Sequence, residues 1–151
     1  MKKAIILILI VVIVIVSIVF ANYVEFSKKK TEIEILNKEF LAYENSNVQI
    51  NTIITLMNKA IEKNKENEIP QDENRIFQEN DTNSIKLYLE LKSSNAVIPM
   101  EELMLNEKAG MQKVGLAFSD LLFNITDIEY HKNTGQIKKV VFTAIENTDV
   151  Q

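Results

Sequence analysis

No cysteine occurs among the 151 residues, and histidine and arginine occur once each, as His131 and Arg75. Without cysteine there is no disulfide, no thiolate metal site and no cysteine nucleophile. A single imidazole with no thiolate also falls short of the donor set that zinc normally takes. Glycine stands only at 110, 115 and 135, so no Gly-rich loop is present to turn backbone N–H groups toward a phosphate. Positive charge is in deficit as well. The formal net charge is −4, and setting Lys2 and Lys3 aside takes the remainder to −6, which argues against a broad nucleic-acid surface. From these absences we expect no cofactor, no bound metal, no nucleic-acid partner and no catalytic residues, and therefore no enzyme.

What the chain has instead is one long apolar run. Residues 4–20, AIILILIVVIVIVSIVF, hold no charge, no Gly or Pro, and one hydroxyl at Ser17. About 20 residues rising about 1.5 Å each cross about 30 Å of hydrocarbon, and counting on to Asn22 and Tyr23 meets that length. Ala4, Ile5, Ile10, Ile13, Ile15 and Phe20 are read as membrane-spanning, with Tyr23 at the far interface, where an apolar ring with a polar tip is at home. A helix is expected, because an extended segment would leave backbone N–H and C=O groups unpaired in lipid. A buried core helix would need apolar partners on every side, which so short a chain does not supply.

A cleaved signal peptide is the rival reading, with Val19-Phe20-Ala21 as the cleavage site. Such segments carry an apolar stretch of about 7 to 15 residues; the longer run here favours an uncleaved signal-anchor over residues 1–21. Lys2, Lys3 and the α-amino group precede the run, while Lys28, Lys29, Lys30 and Lys38 follow it. That count favours the large part inside. Against it, a cationic N-terminal tail resists export, and long following domains cross largely regardless of their charge. The orientation adopted puts the C-terminal domain outside the cytoplasm, with the lipid bilayer as first partner.

Residues 22–67 read as a helical stalk followed by an amphipathic helix. Phe26, Ile33 and Phe40 recur every seven residues with Leu36 and Tyr43 between them, which is coiled-coil spacing. These five form a candidate interaction stripe, toward a second copy or another envelope protein. The blander reading lays the same stripe on the chain's own domain. Ser46-Asn47-Val48-Gln49 has the S-x-x-Q form of a capping box. Behind it Ile50, Ile54, Met57 and Ile61 share a helix face, widened by Ile53 and Leu56, until Pro70 stops the segment.

Residues 68–147 read as the β-rich part of the same domain. Residues 64–83 form a polar, acidic loop in which Arg75-Ile76-Phe77 suggests a short edge strand. Ile85, Leu87, Leu89 and Leu91 then alternate with Lys86, Tyr88, Glu90 and Lys92, the period of a strand with one buried face. Pro99 before Glu101 and Glu102 marks a helix start, and Gly110 its end. Met111, Val114, Phe118 and Leu122 continue at helical spacing. Ile125, Ile128 and Tyr130 read as a strand with a register break near Asp127. Asn133-Thr134-Gly135 is a hairpin loop, residues 136–146 the returning strand, and residues 148–151 a frayed tail. The expectation is α+β: an N-terminal transmembrane helix, helical segments, then a small antiparallel sheet of about four strands.

Sites of chemistry are scarce. His131, beside the hairpin loop, reads as a solvated turn residue, and nothing near it resembles a nucleophile elbow. Glu66, Glu68, Asp72, Glu73, Glu79 and Asp81 cluster in the loop, but Asp81-Thr82-Asn83 lacks the Gly and the distal Glu of a calcium loop.

Two patches are familiar together. One is Asn37-Lys38-Glu39-Phe40-Leu41-Ala42-Tyr43-Glu44 with residues 55–64, TLMNKAIEKN; the other is residues 123–137, FNITDIEYHKNTGQI. Their combination resembles small, uncharacterised signal-anchored proteins of low-GC Gram-positive bacteria. No catalytic or binding residues come with that resemblance, which implies location and architecture only. The layout also looks like that of a type IV pilin or pseudopilin, an apolar helix with an amphipathic continuation and then a sheet. It departs where processing and assembly are decided, since neither the Gly before the cleavage site nor the early Glu of the mature helix is present before Glu25. The function expected is a single-pass, membrane-anchored protein in a structural or protein-interaction role at the cell envelope. The alternatives are a pilin-like subunit and a secreted domain released near Ala21.

Overall fold

The computed structural model describes residues 2–92, 96–104 and 113–145. Helix α1, Lys2–Leu41, is a single helix, as a stretch without Gly or Pro allows. By its internal contacts the chain divides after Ile35, the first unit ending there and the second beginning at Leu36. The first unit is helix only. Two of its hydroxyls turn back on the helix, Ser17 Oγ donating to the Ile13 carbonyl at 2.8 Å and Thr31 Oγ1 to that of Ser27 at 3.0 Å. One helix near the N-terminus is thus long and apolar enough to span a membrane, and none of its most apolar part is buried.

The second unit is an α+β domain. Strand β1, Val48–Gln49, leads directly into α2, Ile50–Glu66. The predicted capping box does not form. Gln49 is the N-cap but makes no side-chain cap bond, and the Ser46 hydroxyl donates back to Tyr43. The cause is the pairing of Val48 and Gln49 with Phe123 and Leu122, which holds these residues extended. The buried face of α2 centres on Ile53, Met57, Ala60 and Asn64, with Ile54 and Ile61 only half-buried at its margins. The helix ends in a Schellman arrangement: Glu68, at φ 54°, donates to Lys65 O at 3.0 Å, and Ile69 donates to Asn64 O at 2.9 Å. Left-handed Glu68 frees Ile69 to turn into the core.

No strand forms at 75–77. Arg75 takes a positive φ of 62°, and Asp72 Oδ1 accepts the N–H groups of Asn74 and Ile76, each at 2.9 Å. That turn leaves a single bridge, Gln71 to Phe77, and Phe77 is buried as a plug.

The remaining elements are β2 (Lys86–Leu91), β3 (Ala96–Pro99), α3 (Met100–Met104), β4 (Leu122–Tyr130) and β5 (Ile137–Ile145). Five strands form one sheet in the order β1-β4-β5-β2-β3. The expected all-antiparallel sheet of about four strands is corrected on two counts. Strand β3 occupies residues for which the sequence pattern predicts no element, and Pro99 ends that strand, with the helix beginning one residue on at Met100. The centre of the sheet is parallel, with Lys86 to Glu90 of β2 registered on Lys139 to Thr143 of β5. Hydrophobic alternation assigns a face to each strand but not a neighbour or a direction. The register break near Asp127 is present between Ile125 and Asp127. The β4–β5 turn carries Gly135 at φ 70°. Val114 lies in a helical turn at 113–117, and Leu122 already belongs to β4. Gly115 is where that turn approaches α2, since a Cβ there would sit 3.2 Å from Asn51 Oδ1. The expected helix end at Gly110, Met111 and the C-terminal tail lie outside the described residues.

One sheet face is the core side. Leu87, Leu89, Phe123, Val140 and Phe142 pack with Ile53 and Met57 of α2 and with Leu36 and Phe40. Asparagine side chains tie this layer together. Asn64, fully buried, accepts the Ile85 N–H at 2.8 Å and donates to the Ile85 carbonyl at 2.7 Å, doing for the entry to β2 what a neighbouring strand would do. Asn37 does the same for the hairpin, donating to Gly135 O at 2.8 Å and accepting from Ile137 N at 2.9 Å. Removing such a partner leaves buried backbone groups unpaired at about 1–3 kcal/mol each. Asn64→Ala should therefore destabilise the domain by about 2–4 kcal/mol in chemical denaturation.

Candidate functional site

His131 is not solvated. It is 2% exposed, and its Nε2 lies 2.7 Å from the Ser84 carbonyl. A carbonyl only accepts, so Nε2 carries the proton, and Nδ1 is buried without a partner. The reason is the seat of the β4–β5 turn against the 80–84 loop. Thr134 Oγ1 donates to Thr82 O at 2.8 Å, and Gln136 Nε2 to Asn83 O at 3.1 Å. That loop is shaped by Asn80 Oδ1, which accepts the N–H groups of Thr82, Asn83 and Ser84 at 2.9–3.0 Å. The imidazole is a joint between two loops.

The acidic residues of the loop do not converge. Glu66 pairs with Lys63, Glu79 with Lys138, and Asp72 holds its own turn. Among the described residues no group of three His, Cys, Asp or Glu is arranged to hold a metal ion. The predicted interaction stripe is divided. Leu36 and Phe40 are buried in the core of the second unit and Tyr43 packs at its edge, whereas Phe26, in the first unit, is exposed; Ile33 lies on the same helix. Ile5, Ile10, Ile13, Ile15 and Phe20 are all more than half exposed along the first unit, with Ala4 also exposed.

Among the described residues, the surface the fold leaves open is the other face of the sheet. Register places its residues in rows across β4, β5, β2 and β3. One row is Asn124, Thr143, Glu90 and Val97; the next is Asp127, Val141, Tyr88 and Pro99; the third is Glu129, Lys139 and Lys86. At the third row α3 covers the face. Lys86 Nζ meets Glu101 Oε1 at 2.8 Å, both side chains about 95% buried or more, and the same oxygen accepts the Phe77 N–H at 3.2 Å. The rest of the face is a shallow groove of about 510 Å³, floored by Tyr88, Val97 and Val141 and rimmed by charge.

Four carboxylates, Glu79, Glu90, Asp127 and Glu129, and two lysines, Lys138 and Lys139, line it, a net charge of −2. Lys139 bonds Asp127 at 2.7 Å and Glu129 at 2.5 Å. These two bonds, Asp127 first, hold its ammonium well above the usual lysine range. Lys138 lies 3.2 Å from Glu79. Glu90 differs: it accepts the Thr143 hydroxyl at 2.7 Å, and among the described residues no cation pairs with it. Burial, and after it the charges of Glu79 and Glu101, push the Tyr88 phenol above its ordinary value. Sequence alternation had put Lys86, Tyr88 and Glu90 on one face. It carried no signal that Val141, Lys139 and Val97 would stand beside them, because that follows from the parallel pairing and from β3.

The class defined is a small α+β domain with a five-stranded mixed sheet, on a chain that begins with an apolar helix. No family model matches this chain, and neither a curated protein nor a solved structure does. The pilin-like layout therefore gains nothing from comparison.

A buried ion pair is costly to break and often neutral to replace whole, because a lone buried charge is left behind in the first case only. Glu101→Leu alone should cost about 3–5 kcal/mol by denaturant unfolding, whereas Lys86→Met with Glu101→Leu should return most of that loss. A second measurement follows from Tyr88. The difference in phenolate absorbance between the unaltered protein and Tyr88→Phe should titrate with a midpoint above about 10. A native phenol that keeps its proton longer than the unfolded one stabilises the fold below that pH, and its contribution declines as pH rises through the native value.

Proposed function

We propose that this chain is a single-pass membrane protein of the cell envelope, held by the apolar part of α1, whose α+β domain lies outside the cytoplasm and acts by binding another protein through the open sheet face. The observation that carries this reading is the unburied run from Ala4 to Phe20, whose large aliphatic side chains are each half or more exposed. Fully burying one such side chain is worth about 1.5–3 kcal/mol, so a run of this length strongly favours lipid over water. The resemblance to signal-anchored proteins of low-GC Gram-positive bacteria supports the same location. Contact rather than catalysis is supported by His131, which is committed to the Ser84 carbonyl, and by the groove, whose charged rim surrounds an apolar floor.

Absence of native cysteine makes the topology testable with one introduced thiol. Asn47→Cys, at an exposed position before β1, should react with a membrane-impermeant maleimide in intact cells, and the full-length protein should stay with the membrane through alkaline carbonate washing. Labelling only after lysis overturns the outward orientation. Release by carbonate overturns the anchor, and an intact mass beginning at Asn22 replaces it with a secreted domain.

A further inference from the structure

The charge on the open sheet face is not balanced from within. Lys139 and Lys138 are occupied by Asp127, Glu129 and Glu79. Among the described residues Glu90 has the Thr143 hydroxyl and no cation. It stands in register between Thr143 on β5 and Val97 on β3, and the next row presents Val141 and Tyr88. Val97 is 57% exposed. A carboxylate with no cation among the described residues, beside Val97 and one row from Tyr88 and Val141, matches a side chain with an aliphatic stem and a cationic head. Lysine and arginine lay such stems along apolar surface while the head seeks a charge, and a tyrosine face attracts the same cation. A free inorganic cation would leave the valines and the ring unused, and an acidic partner would meet a net charge of −2.

We infer that the partner presents a lysine- or arginine-bearing extended segment, with the cation at Glu90 and the aliphatic stem across Tyr88, Val97 and Val141. This rests on the reading of the sheet face as the contact surface and adds the chemistry of what it contacts. Glu90→Gln is the informative variant, because the amide oxygen still accepts the Thr143 hydroxyl while the charge is gone. Val97→Lys is the second. It places an ammonium opposite Glu90 from within the chain and should occupy the site.

The experiment uses the isotopically labelled full-length chain in detergent micelles, titrated with a capped Val-Lys-Val-Lys-Val peptide, its Val-Glu-Val-Glu-Val counterpart, and spermidine. The lysine peptide should give saturable amide shifts at Tyr88, Val97 and Val141. Its affinity should fall about fivefold in Glu90→Gln, the scale of an ion pair of ~1 kcal/mol at a half-exposed site, and binding should be lost in Val97→Lys. Equal response to the glutamate peptide, equal affinity in Glu90→Gln, shifts outside the groove, or no saturable shift up to about 5 mM, in the range of the weakest specific contacts, each overturns it. Spermidine reproducing the full effect overturns the peptide as occupant. Photocrosslinking from position 97 in native membranes separates the two levels. A protein captured there while the lysine peptide fails leaves the contact surface standing without its cationic partner, and no capture removes the surface itself.

Discussion

The parallel pairing of β2 with β5 is the constraint on which the domain depends. Without it the chain offers two separate hairpins, β2–β3 and β4–β5, neither of which is stable alone in water. Registering Leu87 on Val140 and Leu89 on Phe142 merges their apolar faces into one surface wide enough for α2 to cover. The same registration sets Tyr88 beside Val141 and Glu90 beside Thr143 on the opposite face. Core and groove are two sides of one alignment, because side chains on a strand alternate with a period of two. A slip by one residue would exchange them.

Polar side chains then fix what the sheet alone leaves free. Asn64, Asn37, Asn80 and His131 each satisfy backbone groups of a segment remote in sequence or of a turn that has no ladder partner. Backbone N–H and C=O groups buried without partners are costly, and a small domain with long loops has many of them. The abundance of asparagine has a structural use here: one amide supplies both a donor and an acceptor, the pair a strand edge presents. The lone histidine belongs to the same system, which is why a residue type associated with catalysis sits between two loops.

Much of this was legible in sequence, for identifiable reasons. The apolar run, α2, the alternation of β2, the β4–β5 hairpin with Gly135 and the break near Asp127 are all local patterns, and each appears where periodicity or turn chemistry put it. What was not legible is non-local. The S-x-x-Q motif at Ser46 lost to pairing of Val48 and Gln49 with β4, a partner more than 70 residues away. Arg75 gave no sign that it would adopt a positive φ. Strand β3 is only four residues long and earns its place by edge pairing with β2. Burial of His131 depends on where a loop 47 residues earlier comes to rest. The groove inherits all of these, so its residues could be assigned to faces but not to one another.

The open face is best understood by comparing its rows. A solvated sheet face in a small domain carries mixed charges that neutralise one another across strands, and the charges of β4 conform, Asp127 and Glu129 both meeting Lys139. Val141, Tyr88 and Val97, successive across β5, β2 and β3, bring no charge to that balance. These apolar groups lie next to Glu90, with which no cation pairs among the described residues. Had selection acted only to keep the face wet, a lysine at 97 would have completed the cross-strand pair with Glu90 and discouraged edge association. A valine there leaves the charge uncompensated and the surface beside it greasy. That combination costs solubility, and a contact of the kind proposed, with a cationic side chain laid over the apolar patch, is what would offset it.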